Sequence, residues 1–552
     1  MADRFPIIIE STEQQIQELS AGDGLDLTKS GVVNANYVHS AGVNAGVVTA
    51  TSFIGDGSQI TNIPAGGGSL EATASGTLSD GSTVIVNTDG TVSVVAGSTT
   101  SATESLSSTG VEWDDSTNAN FWAATYDTHN NKAVICWRST SPSWGIGKIT
   151  LGTISGTSIS FTTPANFSST NIDVPSIVFD SHNNRVVIVY RDYGNSSYGT
   201  AVVGEISGNS ISFGTPTVFE SGTLESISPV FDSHNNRVVI FYVDTGNSYR
   251  PTAIVGEVNP STNAISFGTH TVSSYTQMTS TAATFDSDNN MVLLVSGRNN
   301  TGRMHAGTVN PSNNSISFAN DGATAEEFNA GDSSHTAVAY DTANNKAVVL
   351  WSGTSGAGKY KVVSIDSSGN FTFGAEGTYF SRGTGNTSYN FLKYEPTSGK
   401  LVAFFRPVSS PYGTYYVLGT MSGTTVTWES SVTVGSNGAT YGGLAIDPNN
   451  AKAIFAYSDG GGATFEAKVL QLPYSSTTTN LTAENFIGIS NGVYTNGQTA
   501  TIQISGSVDD AQSSLTPGQQ YYVQVDGTLS ETADSPSVLA GTAIAATKLA
   551  IG

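Results

Sequence analysis

Cysteine, basic residues and helical periodicity are all scarce in this 552-residue chain. The single cysteine, Cys136, excludes an intrachain disulfide and a cysteine-based metal site, and its place in the apolar run 133–137 predicts a buried core thiol. No dozen residues hold apolar side chains at helical spacing, and no apolar run reaches the length of a membrane span. The apolar run at the N-terminus is too short for a signal peptide. We therefore expect an all-β protein that is made in a cytoplasm and does not insert into membranes.

Positive charge is also in short supply. Lys and Arg total 21 against 44 Asp and Glu, so the formal net charge is -23. A polyanion of this kind repels nucleic-acid phosphates, and nucleic acid is not an expected partner. What the chain has in abundance is glycine, at 60 residues, together with the β-branched and aromatic residues that favour strands.

One sequence unit recurs along the middle of the chain: an aromatic residue, an acid, a short polar turn, usually a basic residue, and an apolar run. The first copy reads Tyr126-Asp127-Thr-His-Asn-Asn-Lys132. Each copy divides into four strands, which predicts a seven-bladed β-propeller over residues 105–475. A linear β-solenoid is the alternative, but its coils are usually much shorter. The repeated acids are Asp127, Asp180, Asp232, Asp286, Asp341, Glu395 and Asp447.

The strands within each copy have distinct roles. The second strand is almost wholly apolar, as in 186–190, so neighbouring blades should cover both of its faces. Small residues dominate the first strand, which suits the crowded axis. The last copy lacks a fourth strand, and Thr91–Val95 has the missing pattern. We therefore predict that this segment, within a linker hairpin at 71–104, completes the last blade.

The two ends of the chain do not follow the repeat. Glycine-punctuated strands in 1–70 hold too few apolar residues to form a core alone. The stretches 18–28 and 46–63 resemble the shaft sequences of tail fibres and related virion proteins of contractile-tailed marine cyanophages. Residues 476–552 resemble a small β domain of marine phage structural proteins. The resemblance implies trimeric β-structure in residues 1–70, a place in the virion among other virion proteins, and no catalytic residue.

Three histidines at the same turn of consecutive blades invite comparison with a metal site. Equivalent positions in adjacent blades lie a full blade apart, whereas a metal ion needs each imidazole nitrogen at ~2 Å. We interpret them as turn residues and expect no metal ion or other cofactor. These residues are His129, His182 and His234.

Three carboxylates follow second strands: Asp192, Asp244 and Asp459. Two such groups facing one cleft could hydrolyse a glycan. Their Asp-x-Gly and Asp-Gly contexts favour the simpler interpretation, in which each stabilises a turn. No nucleophile elbow, zinc-binding His-Glu-x-x-His or phosphate-binding loop occurs, so we expect a protein that is not an enzyme.

Loops between the second and third strands vary, whereas turns between the first and second strands are near copies. Propeller topology places these variable loops on one face. They are rich in Arg, Tyr and Trp, which stack on sugar rings and bond to hydroxyls, although solvated loops with a few packed aromatics are an equal alternative. The candidate glycan-binding residues are Trp144, Tyr193, Tyr198, Tyr249, Arg250 and Tyr412.

The sequence thus indicates a fibre-like virion protein involved in host-surface attachment. Two alternatives stay open. One is a purely architectural component, such as a collar, whisker or capsid appendage. The other is a glycan depolymerase, which requires a carboxylate pair in one pocket of the variable face.

We predict a homotrimer held by residues 1–70 with help from 476–552, because the strands at the N-terminus cannot bury a core within one chain. Light scattering should give three copies for the intact chain and one copy for residues 85–475. A monomeric intact chain would contradict the prediction. A trimeric fragment would move the contacts into the propeller.

Overall fold

The computed structural model describes most of the chain after residue 67. The described ranges are 68–114, 119–139, 145–298, 300–319, 321, 326–353, 357–381, 387–407, 413–436, 442–459 and 464–552, with the backbone alone at 7–10, 15–18, 114, 119–122 and 459. By contacts the chain divides into two units, Met1–Gly68 and Ser69–Gly552. In the first unit, β1 (Ile7–Glu10) pairs with β2 (Gln15–Glu18) as an antiparallel hairpin. Of the predicted trimeric segment 1–70, residues 68–70 are also described, and the remainder lies outside the described residues.

The structure confirms the predicted all-β propeller. Its strands form successive antiparallel four-stranded units, and the outer edge of most units is split between two short segments. The first three units are β9 (Ala119–Asp127), β10 (Lys132–Ser139), β11 (Ile146–Ser155), β12 (Ser158–Phe161) and β13 (Ala165–Ser168); β14 (Ile172–Asp180), β15 (Arg185–Asp192), β16 (Tyr198–Ser207) and β17 (Ser210–Phe213); and β18 (Thr217–Asp232), β19 (Arg237–Asp244), β20 (Arg250–Asn259), β21 (Ala264–Phe267) and β22 (Thr271–Val272).

Strand β18 is long enough to serve two units, since it ends the outer edge of the second and begins the third. Later units repeat the arrangement. They are β23 (Ser280–Asp286), β24 (Met291–Arg298), β25 (Thr301–Asn310), β26 (Ser315–Ala319) and β27 (Glu327–Asn329); β28 (Ser334–Asp341), β29 (Lys346–Ser352), β30 (Ala357–Ile365), β31 (Phe371–Phe373) and β32 (Gly377–Ser381); β33 (Thr387–Glu395), β34 (Lys400–Pro407), β35 (Thr414–Ser422), β36 (Thr425–Trp428) and β37 (Val432–Gly435); and β38 (Gly442–Asp447), β39 (Lys452–Asp459) and β40 (Thr464–Gln471).

The first strands of these seven units contact one another in a closed ring. The order of contacts is β9, β14, β18, β23, β28, β33, β38 and back to β9. Small residues make this approach possible, as predicted. A Cβ atom added to Gly443 in β38 would lie 3.2 Å from the Cβ atom of Ala124 in β9.

The last blade is closed by the N-terminal side of the chain, but not by the predicted segment. The outer edge of β40 pairs with β7 (Ser105–Leu106) and β8 (Val111–Asp114). The prediction for Thr91–Val95 is therefore wrong. Its strand β5 (Val92–Val94) pairs with β4 (Thr83–Val86) across a short turn. The short loop favours this local pairing because closing it costs little entropy, and alternation of apolar residues alone does not specify a partner.

A second β domain uses both flanks of the propeller. One five-stranded sheet combines β3 (Ser69–Thr73), β4 and β5 with two strands from the C-terminal end, and a second sheet comes entirely from that end. Residues 476–552 are thus only part of this domain, and residue 85 lies inside strand β4. The C-terminal strands are β42 (Phe486–Ser490), β43 (Thr499–Gln503), β44 (Val508–Asp509), β45 (Gln520–Val523), β46 (Leu529–Ser530), β47 (Val538–Ala545) and β48 (Lys548–Ile551).

A two-stranded ribbon joins this domain to the propeller. Strand β6 (Gly97–Ala102) pairs with β41 (Tyr474–Thr479), so the chain enters and leaves the propeller side by side. The predicted linker hairpin at 71–104 is therefore divided between the β domain and the ribbon. Within the described residues, no helix has the length and apolarity needed to cross a membrane.

Burial between blades supplies the core. Along β15, Val186 and Ile188 pack against the preceding blade, whereas Val187 and Val189 pack against the following one. All four are fully buried, which confirms the prediction for the second strands. Each such side chain contributes roughly 1.5–3 kcal/mol. Cys136 lies in the same kind of position, and burial raises the pKa of its thiol to about 12.

The repeated turn is a structural device, as predicted. Asp232 is fully buried and accepts hydrogen bonds from the backbone N–H groups of His234 and Asn235, at 3.0 and 2.9 Å. It also accepts one from the Asn235 amide at 2.9 Å. His234 and its equivalents His129 and His182 expose their side chains at these turns.

The basic residue of the repeat links one blade to the next. Lys132 bonds to Asn209 at 2.8 Å, and Arg185 bonds to Asn263 at 2.6 Å. Each asparagine lies in the turn before the outer strand of the following blade. The conserved spacing within the repeat therefore serves interblade packing.

We predict that Asp232→Ala lowers the free energy of unfolding by about 3 kcal/mol, because three donors lose a buried ionised acceptor. Denaturant unfolding measures the change. Asp366→Ala is the matched control, since Asp366 accepts the same set of three bonds at an exposed turn. Equal effects of the two substitutions would contradict the role assigned to burial.

Candidate functional site

A cavity of about 610 Å³ lies among the first strands of the propeller. Four of these strands carry an irregularity of pairing at the same place, six residues before the repeated acid. The residue there adopts a left-handed backbone conformation, with φ between 41 and 52°. Such conformations cost energy in residues other than glycine, and here they place residues in the cavity wall. These residues are Val174, Ser226, His335 and Tyr389.

The bulges also join neighbouring blades through hydroxyl and amide groups. The backbone N–H of Thr281 donates to Ser226 Oγ at 2.8 Å, and Ser228 Oγ donates to the carbonyl of Thr281 at 3.0 Å. The Asn390 amide donates to the carbonyl of His335 at 2.9 Å. The cavity wall is therefore rich in neutral polar groups held in place by the blades around them.

A charged cluster stands at one part of the cavity wall. Asp173 forms an ion pair with Arg191 and a longer one, at 3.6 Å, with Arg138. Tyr193 donates its hydroxyl to Asp173 at 3.1 Å, and the Arg191 guanidinium lies 4.9 Å from the centre of its ring. Burial, and then the charge of Asp173, raise the pKa of Tyr193. Since Tyr193 is 42% exposed, this cluster holds an aromatic ring in contact with solvent.

Two basic side chains, Lys393 and His335, belong to the wall on the other side of the ring of strands. Lys393 reaches water in the cavity, and the surrounding walls lower its pKa because they limit solvation of the ammonium group. Burial also lowers the pKa of His335, which the nearby Asp332 partly offsets. The ring of His335 contacts that of Tyr389 edge to face, with centroids 5.5 Å apart.

Of the six predicted residues, Tyr193 contacts the cavity wall, since its hydroxyl bonds to Asp173 and Arg191, which line the cavity. Tyr198 and Arg250 begin third strands, where they pair with Asp192 and Asp244. Tyr249 is exposed and has a φ of 56°. Trp144 and Tyr412 lie outside the described residues.

The carboxylates considered for glycan hydrolysis cap short turns. Asp192 accepts hydrogen bonds from the N–H of Gly194 at 2.9 Å and from Thr170 at 2.8 Å, and it caps the 3₁₀ turn Tyr193–Asn195. Asp244 caps the equivalent turn Thr245–Asn247. Burial, followed by the charge of Glu220, raises the pKa of Asp244. The side chain of Asp459 lies outside the described part of the structure.

Sequence reasoning did not identify Asp173 or the bulge residues. Spacing from the repeated acid could have located them, because the bulge stands at the same offset in four blades. Sequence reasoning also missed a group of potential metal ligands in the fourth blade. His305, Asp321 and Glu326 each place one ligand atom within 4.8 Å of the other two.

Comparisons with known proteins give only distant likenesses. No family model matches the chain, and no curated protein matches its sequence. The periplasmic gluconolactonase PpgL of Pseudomonas aeruginosa shares 10% identity, with 65% of this chain and 98% of that chain covered and a TM-score of 0.41. The β-propeller domain of Myceliophteria thermophila Cps50 (Swd1) shares 7%, covering 67% and 99%, with a TM-score of 0.41. The structure of the Dos1 propeller shares 11%, covering 66% and 95%, with a TM-score of 0.38.

These scores are too low to carry an argument about activity or partners. The class of the protein follows from its own strand order, which is that of a multi-bladed β-propeller. The propeller is accompanied by a β domain built from both of its flanks.

We predict that Asp173→Ala lowers the free energy of unfolding by about 3 kcal/mol, because it leaves Arg191 and Arg138 without their buried counter-charge. Urea unfolding measures the effect. Glu205→Ala removes a carboxylate that is 42% exposed and pairs with Arg185 at 2.9 Å, and should cost less than about 1 kcal/mol. A cost for Asp173→Ala as small as that of the control would contradict the proposed role of the cluster.

Proposed function

We propose that this chain is a fibre-like structural protein of a virion and that its propeller binds a carbohydrate of the host surface without hydrolysing it. The resemblance of both ends of the chain to cyanophage fibre and structural proteins supports the first part. The second part rests on the exposed ring of Tyr193, held by Arg191 and Asp173 beside a water-accessible cavity.

The chemistry of the cavity wall suits sugar hydroxyls. Serine, threonine and asparagine side chains alternate with apolar ones, which matches the mixed polar and apolar faces of a sugar ring. An aromatic ring at the edge provides a stacking surface, and the guanidinium fixes its orientation so that little entropy is lost on binding.

Charge favours a neutral or weakly charged ligand. A net charge of -23 repels an anionic polymer at long range, although salt screens such forces beyond ~10 Å. Close to the cavity the charges are mixed, since Asp173, Glu225, Arg191 and Lys393 all line it. Local attraction for one sign of charge is therefore weak.

Glycan hydrolysis is the competing function, and one observation favours it. The raised pKa of Asp244 beside Glu220 is the property of a general acid next to a second carboxylate. Tyr242 donates to Glu220 at 2.6 Å, and Asp244 itself caps a turn. We give binding precedence because both carboxylates have these structural roles.

We predict that Tyr193→Ala weakens carbohydrate binding about tenfold, because it removes the exposed stacking surface. The measurement is binding of the purified full-length chain to a panel of immobilised neutral and acidic polysaccharides. Tyr249→Ala tests the second exposed tyrosine of the same face and should weaken binding as well. Tyr522→Ala, in the β domain, is the control and should leave binding unchanged.

Three outcomes contradict the proposal in different ways. Unchanged binding by both variants would place the ligand elsewhere on the chain. Release of reducing ends that is lost in Glu220→Gln would favour the depolymerase. Binding to no polysaccharide, with normal adsorption of particles that lack the propeller, would favour an architectural component.

A further inference from the structure

A compact polar cluster lies in the fourth blade, apart from the cavity described above. His305 on β25 is fully buried, and so is Glu326 beside β27, whereas Asp321 is partly open to solvent. The Nδ1 atom of His305 lies 3.4 Å from Glu326 Oε1 and 3.8 Å from Asp321 Oδ1. Ser273 and Tyr275 come from the segment that follows β22 and leads into this blade. Three side chains with metal-binding atoms therefore face one point.

The hydrogen bonds indicate which nitrogen of His305 carries a proton. Ser273 Oγ donates its one hydrogen to Asp321 Oδ1 at 3.0 Å. Ser273 Oγ therefore accepts a hydrogen bond from the Nε2–H group of His305, and the two heavy atoms are 3.3 Å apart. In the neutral imidazole the lone pair is consequently on Nδ1, the atom that faces both carboxylates.

This arrangement needs a positive charge. A lone pair that faces two carboxylate oxygens is repelled by both, and burial makes the repulsion costly. Arg303 is paired with Glu327, and its guanidinium lies 4.6 Å from the ring centre of Tyr275. Among the residues that the structure describes here, a proton on Nδ1 or a bound cation can supply this charge. The N···O distance of 3.4 Å is long for a hydrogen bond between charged groups, which are usually 2.7–2.9 Å apart.

We propose that His305, Asp321 and Glu326 bind a divalent transition-metal ion of the zinc type. Two ligands at ~2.1 Å from a tetrahedral ion lie about 3.4 Å from each other, which is close to the 3.4 and 3.8 Å that separate His305 Nδ1 from the two carboxylates. An imidazole nitrogen favours zinc over calcium or magnesium, and the two carboxylates neutralise the charge of the ion. Three protein ligands leave a fourth position for water.

The surroundings fit this assignment. The Nε2–H group of His305 donates to Ser273 Oγ, and this hydrogen bond orients the ring. Metal-bound histidines are usually oriented in the same way, through the ring nitrogen that does not bind the metal. Tyr275 donates to the second oxygen of Glu326, Oε2, at 2.9 Å and so fixes the orientation of the carboxylate. The ion would join His305 on β25 to Asp321 and Glu326, which lie between β26 and β27 in the sequence. Asp321 provides the route of entry, because its side chain is the one open to solvent.

The test uses the full-length chain, first treated with a chelator and then titrated with ZnCl₂ in a calorimeter. We expect one zinc ion per chain. Asp321→Asn and Glu326→Gln should each weaken the affinity by at least about 30-fold, since each removes one anionic ligand while keeping its size. His182→Gln removes an exposed histidine at a turn and should leave the affinity unchanged.

Thermal unfolding separates ligand loss from misfolding. Zinc at about 100 times the wild-type dissociation constant should raise the melting temperature of the wild type much more than that of either variant. Each variant should still unfold cooperatively, as the chelated wild type does. Absence of zinc binding by the wild type would overturn the proposal and favour a doubly protonated His305. Wild-type affinity in either Asp321→Asn or Glu326→Gln would overturn it too, by placing the ion elsewhere.

Discussion

Every sheet of this propeller has two apolar faces, and neither can be buried within its own blade. The second strands show the consequence most clearly, since alternate residues of β15 pack against different neighbours. A blade is therefore stable only between two others, and the series must close on itself. Closure in turn requires the last blade to take its outer strands from residues 105–114. The closed ring of blades, its central cavity and the pairing of the segments that enter and leave the propeller all follow from this requirement.

The repeated turn also joins neighbouring blades, through individual side chains. Its acid is buried and organises the turn, while its basic residue reaches the outer hairpin of the following blade. Tyr340 adds a further link, since the charge of Asp286 in the preceding blade helps to raise the pKa of its hydroxyl after the larger effect of burial. The turn therefore maintains the angle between blades.

Both candidate sites lie where the regular pattern is interrupted. The cavity wall contains bulged residues with left-handed backbone, and two of the three proposed zinc ligands, Asp321 and Glu326, lie outside the regular strands of their blade. Regular strands place side chains between blades, where they are needed for packing. Departures from regularity leave side chains available for ligands, and the surrounding blades supply the rigidity that holds them in place.

The sequence alone determined the class of fold and the structural role of the repeated turn. The repeat has a period of 52–55 residues, with apolar residues in its second strand and small residues in its first. These local patterns are together consistent with one arrangement, the β-propeller. The same reasoning correctly assigned Asp232 to a turn and Cys136 to the core.

Only the tertiary structure decided which strands pair over long distances. The segment at 91–95 has the pattern of an outer blade strand, yet it pairs with β4, because strand alternation is common and a short hairpin forms at lower entropic cost. Of the residues considered for ligand binding, Tyr193 lies beside the cavity because Asp173 and Arg191, which line it, hold the tyrosine in place. His305 on β25 meets Asp321 and Glu326, which lie between β26 and β27 in the sequence. Such groupings depend on the path of the chain in three dimensions, which no local spacing encodes.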